Sequence, residues 1–181
     1  MASSPQMTDP RLRARLADGS LAGAWTLDPS RSAVALRSRS MWGLAPVKGS
    51  FGELSGEAVI SASGEVSGTI TVGSASIDTK ISKRDAHLRS AEFFDSDAHP
   101  HIIFTVEHLT LTSQGSTVTG TLQVRDRTRP LTFPVSVAGD DTVQLDAEVV
   151  IDRSDFGLTW NQMGMASMKN SLTIRAVFTR H

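Results

Sequence analysis

The chain has 181 residues, carries 18 Lys+Arg against 19 Asp+Glu for a formal net charge of −1, and contains no cysteine. That length suits one well-filled domain, which buries roughly 70% of its unfolded surface and needs neither disulfides nor a structural metal. The missing thiols exclude a disulfide framework, a thiolate metal site and a cysteine nucleophile. The even charge gives no long-range field for gathering phosphates and argues against nucleic acid.

Residues 1–23 read as a flexible N-terminal tail with a short helix. Thr8-Asp9-Pro10 is a helix start with proline in the first turn, and Asp18-Gly19 a stop. Leu12, Leu16 and Leu21 then fall on one side, so the helix could cap the domain that follows. No segment approaches the ~20 apolar residues needed to cross a bilayer. Arg11, Arg13 and Arg15 have no apolar stretch behind them, so the expectation is a cytoplasmic protein without a signal peptide.

From Trp25 onward the dominant period is two. It is cleanest in Leu131, Phe133, Val135 and Val137, in Val143, Leu145, Ala147, Val149 and Ile151, and in Leu172, Ile174, Ala176 and Phe178. Such strands have one face in a core and one in water. Eight or nine are expected, near 25–28, 31–40, 46–61, 65–78, 101–112, 115–125, 129–138, 141–152 and 168–180. Asp28-Pro29, Ser63-Gly64, Gln114-Gly115 and Gly139-Asp140-Asp141 supply turns between them. Pro134 inside a strand calls for an edge, a bulge or an outward kink. Alternation lapses between Thr79 and Pro100, where a helix of one or two turns starting near Ser82 fits better. The fold class is therefore all-β: an antiparallel eight-stranded barrel at residues 24–181, with a short helix after the fourth strand. Closure removes the exposed sheet edges and leaves an interior able to hold one small ligand.

Catalytic signatures are missing. Gly52-Glu53-Leu54-Ser55-Gly56 has its serine one place too late for a nucleophile elbow, and no phosphate-binding glycine loop occurs. His99-Pro100-His101 offers two ligands at most, so no metal site and no cofactor are expected. The paired carboxylates Asp152 and Asp155 flank Arg153, which reads as an ion pair tying down a strand end. Arg37/Arg39 and Arg125/Arg127/Arg129 alternate, either as a solvated outer face or as a rim for an anionic head group. What remains is apolar material at strand ends: Trp42, Phe93, Phe94 and Trp160, with Met163, Met165 and Met168 close behind. Flexible methionines suit an adaptable surface, though a loop packed on the barrel end explains them equally.

The residues Trp25-Thr26-Leu27-Asp28-Pro29, Lys48-Gly49-Ser50-Phe51 and Ser76-Ile77-Asp78-Thr79 resemble blocks of the YceI-like family. So do Arg84-Asp85-Ala86-His87-Leu88-Arg89-Ser90, Glu92-Phe93-Phe94-Asp95 and His99-Pro100-His101-Ile102-Ile103-Phe104. Val118 to Leu122, Thr128 to Leu131 and Asp152 to Leu158 continue the match in order. The chain departs from the pattern at Arg31 and Ser40, where members often carry histidine, and at Asp126, where glycine is common.

The resemblance implies an extended, lipocalin-like barrel that binds a polyisoprenoid, an isoprenoid quinone or a related lipid in its interior and catalyses nothing. It also implies that many relatives are periplasmic or secreted. Phe93, Phe94 and Phe104 are then expected at the cavity or its mouth, with Trp42, Trp160 and Met163 of the same kind. Phe133, Val135, Leu145, Val149, Leu172 and Ile174 should form the wall. Arg84, Asp85, His87 and Leu88 carry over as organisers of the helical excursion. Asp85 is expected to satisfy helical N–H groups, and Arg84 or Arg89 to reach Asp152 or Asp155. Room in the interior is expected at Gly120, Ala147 and Ala176. Two other readings stay open: an isomerase or hydrolase pairing a carboxylate with His87, and a solid-cored interaction domain. A homodimer stays open as well.

Overall fold

The structure, a computed structural model, describes residues 8–164 and 166–181, so the expectation placed on Met165 lies outside the described residues. Helix α1 (Pro10–Ala17) begins where Asp9 accepts a hydrogen bond from the Arg11 N–H at 2.9 Å, with proline at its first position. Eleven strands follow: β1 (Gly23–Leu27), β2 (Ala33–Ser40), β3 (Ala45–Phe51), β4 (Leu54–Ile60), β5 (Val66–Gly73) and β6 (Ile77–Asp78), then, after helix α2 (Ser82–Arg89), β7 (His101–Thr112), β8 (Gly115–Val124), β9 (Arg127–Gly139), β10 (Thr142–Asp152) and β11 (Lys169–Arg180). Neither helix is long and apolar enough to cross a membrane.

Eight strands close an antiparallel barrel in the order β1-β4-β5-β7-β8-β9-β10-β11, with β11 returning to β1. Strands β1 and β2 share one edge of β11 in tandem. Trp25 to Leu27 pair with Arg180 to Phe178, and Ala33 to Arg37 pair with Arg175 to Ser171. From β2 the sheet runs on to β3 and β6, extending the wall beyond the closed ring at the end where α2 lies.

Two expected strands are each divided. The stretch 46–61 breaks at Gly52-Glu53, because β3 pairs with β2 and β6 while β4 must cross to β1 and β5. The stretch 65–78 becomes β5, a 3₁₀ turn at Ser74–Ser76, and the short β6. Helix α2 therefore follows the fourth expected strand but the sixth observed one.

Pro134 has a specific place. Strands β9 and β10 pair only from Gly139 and Val143 to Ser136 and Asp146. Pro134 lies past that limit, where no N–H is required toward β10, and its neighbour across β8 is Thr117. Beyond the pairing, a 3₁₀ turn at Arg153–Phe156 follows β10, and Phe156 and Leu158 join the core that also holds Val124 and Leu131.

Alternation works as expected in β10 and β11: Leu145, Ala147, Val149 and Ile151 face inward, as do Leu172, Ile174 and Ala176. Gly120 leaves no room. A Cβ there would collide with the Thr105 carbonyl and sit 3.0 Å from the Phe104 ring, so that aromatic already occupies the space. The buried apolar residues form two clusters. One gathers around Leu12, Leu21, Trp25 and Val137 near α1, the other around Ile77, Phe94, Leu122 and Phe156 near α2.

Candidate functional site

Between the two clusters runs a cavity of about 810 Å³, toward the upper end of the ~300–1,000 Å³ found for small-molecule sites. Its floor is Leu12, Leu16 and Leu21 of the α1 region with Trp25. Its wall is apolar, built by inward positions of the barrel strands such as Leu36, Ile70, Phe104, Leu122 and Leu131. Polar groups collect at the other end, where Arg39, Ser40, Lys83, Arg84, His87, Ser167 and Asn170 border it.

Ten of the twelve residues expected at the ligand line this cavity. Phe93, Phe94, Phe104 and Trp160 do so, as do the wall residues Phe133, Val135, Leu145, Val149, Leu172 and Ile174. The aromatic rings touch one another: Phe93 and Phe94 meet edge to face at 4.9 Å between centroids, and Phe104 and Phe133 lie 5.5 Å apart. Trp42 and Met163, expected at the cavity or its mouth, lie at the mouth and not in the cavity wall. Neither borders the cavity, and they are 67% and 78% exposed. Both sit in tight turns with left-handed backbone, φ 54° and 56°, which carry their side chains out of the wall.

The family-motif residues organise the mouth, by different contacts from those expected. Asp85 is buried, yet it caps no helical N–H. It accepts from the Thr79 N–H at 2.9 Å and the Thr79 hydroxyl at 2.6 Å, tying α2 to the chain that enters it. Arg84 donates to the Thr79 hydroxyl and carbonyl at 2.8 and 3.0 Å, and Arg89 to the carbonyls of Ala75 and Ile77. Neither reaches Asp152 or Asp155. Arg84, His87 and Leu88 line the cavity.

Arg153 makes no ion pair with its flanking carboxylates. Its guanidinium is buried and donates to the carbonyls of Leu158 (2.5 Å), Trp160 (2.8 Å), Ser167 (3.0 Å) and Ala166 (3.5 Å). It lies 5.5 Å over the Phe93 ring and borders the cavity. Burial pulls its pKa below the usual guanidinium value, with Asp152 opposing. Asp155 is exposed and takes no part. Leu158, Trp160, Ala166 and Ser167 thus gather around a cation, a role with no side-chain partner to reveal it in the sequence. The one-sided leucine spacing of α1 showed a helix able to cap the domain; that those leucines form the cavity floor did not show.

At the mouth the His87 ring stacks on Trp160 at 4.1 Å, and its Nδ1 is 3.3 Å from a Glu92 carboxylate oxygen that is largely exposed. Its Nε2 is buried with no hydrogen-bond partner. Among the described residues no cluster of three or more His, Asp or Glu side chains could hold a metal ion. Of the alternating arginines, Arg39 borders the mouth, Arg125 donates to the Phe93 carbonyl at 3.3 Å, and Arg37, Arg127 and Arg129 face solvent.

Residues 25–179 match the family model described as the YceI-like domain. A UPF0312 protein of Pectobacterium carotovorum is 32% identical over 112 residues, covering 58% of this chain and 58% of its own length. Among solved structures, BcnA of Burkholderia cenocepacia superimposes with a TM-score of 0.75 at 22% identity, over 83% of this chain and 98% of that one. A polyisoprenoid-binding domain from Saccharophagus degradans superimposes with a TM-score of 0.67 at 16% identity, over 87% and 98%. Helix α1 lies outside the matched residues.

Proposed function

This chain belongs to the YceI-like family, and from that premise we propose that its barrel binds and shields a long-chain apolar ligand: a polyisoprenoid, an isoprenoid quinone or a related lipid. The observation that carries the reading is the cavity itself, lined mostly by apolar side chains from the α1 floor upward, with its cationic side chains gathered toward the mouth. Burying an apolar chain there gains about 25 cal/mol per Å² removed from water, so affinity needs no strong polar contact. A ligand with a polar head would place it beside Arg84 and His87. The likeness to the polyisoprenoid-binding domain of Saccharophagus supports the same class of ligand. The reading is of a carrier and not a catalyst, since the His87–Glu92 pair sits at the rim with its carboxylate largely in water.

Extraction of the purified protein with organic solvent, followed by mass spectrometry, tests this. One prenyl, quinone or acyl species per chain is expected. A clean extract from folded protein that also fails to take up a long-chain prenol would overturn the proposal. Phe104→Ala should weaken prenol binding about tenfold or more, since a buried Phe contributes roughly 1.5–3 kcal/mol. Trp42→Ala should leave uptake into the cavity unchanged.

A further inference from the structure

The mouth of the cavity is also where the protein exposes most of its large apolar side chains. Among the described residues eight such side chains are exposed, and six of them surround this opening: Met41, Trp42, Leu44, Ile81, Trp160 and Met163. Only Val59 on β4 and Val150 on β10 lie elsewhere.

The six belong to three segments that meet at the rim. Met41, Trp42 and Leu44 form the β2–β3 turn, whose preceding residues Arg39 and Ser40 border the cavity. The Ser167 N–H donates to the Arg39 carbonyl at 2.9 Å, joining that turn to the loop carrying Trp160 and Met163. Ile81 borders the cavity at the start of α2, and Trp160 stacks on His87 of the same helix. Leu44 is 83% exposed, so nothing among the described residues covers this patch.

The charges beside these residues are mainly positive. Lys80 is neutralised by Asp78 at 2.6 Å, and Glu92 is engaged by His87. Arg39 and Lys83 pair with no carboxylate among the described residues, and Lys169 lies opposite Asp152 across the β10–β11 ladder. In a chain whose net charge is −1, this is a local excess of cations around exposed apolar groups. Trp beside Leu, Met and Ile with flanking Lys and Arg is the composition that seats at a membrane interface. There the apolar tips enter the acyl boundary and the cations meet anionic head groups. A large apolar patch around an opening is otherwise unfavourable in water.

We infer that this rim docks on the surface of an anionic phospholipid bilayer, with the mouth facing the lipid. The inference uses the carrier reading for its purpose: a docked mouth lets an apolar chain pass from bilayer to cavity without crossing water. The docking itself stands on the rim alone.

Cosedimentation of the full chain with vesicles of phosphatidylcholine plus phosphatidylglycerol tests it, with phosphatidylcholine-only vesicles alongside. Binding to the anionic vesicles is expected, weakened by high salt and reduced about tenfold or more by the double substitution Trp42→Ser/Leu44→Ser. Both side chains are largely exposed, so folding should be kept, and far-UV circular dichroism checks it. The control Val59→Ser/Val150→Ser should bind as the wild type does. Absence of wild-type binding overturns the inference, as does equal weakening in both double variants. It is also overturned by a concentration-dependent dimer that Trp42→Ser/Leu44→Ser dissolves, when vesicle binding is absent, because the patch would then join two copies of the chain. Prenol uptake measured on the same samples separates the two proposals. Uptake without vesicle binding rejects docking alone, and vesicle binding without uptake rejects the carrier alone.

Discussion

The two ends of the barrel carry helices of equal length held in opposite ways. At the floor, α1 is stapled by apolar burial: Leu12 and Leu21 are each only 2% exposed and pack with Trp25, Val137 and Phe178. Its polar contacts, from Thr8 to Ser116 and from Arg180 to the Ser20 carbonyl, sit around that apolar contact. At the mouth, the one buried residue of α2 is a carboxylate, Asp85, and the helix start has no side-chain cap. Hydrogen bonds from Thr79 to Asp85, from Arg89 to two carbonyls and from Ser74 to Ser96 hold the region instead. Apolar contact is undirected and serves to seal a floor. Hydrogen bonds fix positions without consuming apolar side chains, and so leave Ile81 and Trp160 exposed at the rim.

The difference is most exposed to test at Arg153. Replacing it by methionine keeps much of the volume but leaves the carbonyls of Leu158, Trp160, Ser167 and Ala166 without their donor. With hydrogen bonds to charged groups at about 1.5–3 kcal/mol each and not additive, the expected loss is on the order of 4 kcal/mol. Urea denaturation measures it. A cost below about 1 kcal/mol would mean that the mouth, too, is held by packing.

At the floor, Leu12→Ala removes a fully buried side chain from the apolar staple. A cost of about 3 kcal/mol is expected, within the range for Leu→Ala in a core. The unfolding midpoint should fall, and prenol affinity should change little, because the deleted methyls lie at the far end of the cavity. If stability were unaffected, α1 would rest on the barrel rather than close it.

Much of this was legible in the sequence, for reasons particular residues make plain. Period-two runs in β10 and β11 betray one wet and one dry face, and the Ser82 start of α2 showed as a lapse of that period. Asp9 before Pro10 marked α1 by cap chemistry. The break at Gly52-Glu53 did not show, because apolar residues at Phe51 and Leu54 bracket it and only sheet crossing demands it. That Trp42 turns outward at the mouth and not into the wall did not show, since an aromatic at a strand end reads the same whether it turns in or out; a left-handed turn decides, and that is a backbone property. Arg153 was assigned a carboxylate partner because side chains can be read from a sequence and carbonyl positions cannot.

The mildest test concerns the acid limb of stability. Asp152, at the entrance to the turn carrying Arg153, accepts from the Ser154 hydroxyl at 2.5 Å and the Ser154 N–H at 3.0 Å. These hydrogen bonds, led by the hydroxyl and aided by Lys169 and Arg153, hold its carboxyl below the usual range against the opposing effect of desolvation. A folded pKa below the unfolded one means that the ionised carboxylate favours the folded chain. Its contribution is complete above the unfolded value, about pH 4, and is lost as the pH falls through the lower folded value. Asp152→Asn keeps an acceptor but cannot titrate. The stability gap between wild type and variant should therefore be widest near neutrality and shrink below about pH 4 in urea midpoints. Asp18, lowered by Ser20 after α1, offers the matching substitution Asp18→Asn at the floor. Since Asp18 precedes no buried cation, its gap should shrink with acid in the same way while leaving the fluorescence of Trp160 unchanged. Asp152→Asn should perturb that fluorescence, because Arg153 holds the Trp160 carbonyl. An Asp152→Asn gap that does not vary with pH, or a Trp160 signal indifferent to both substitutions, would show that the charge at the mouth is not coupled to its latch.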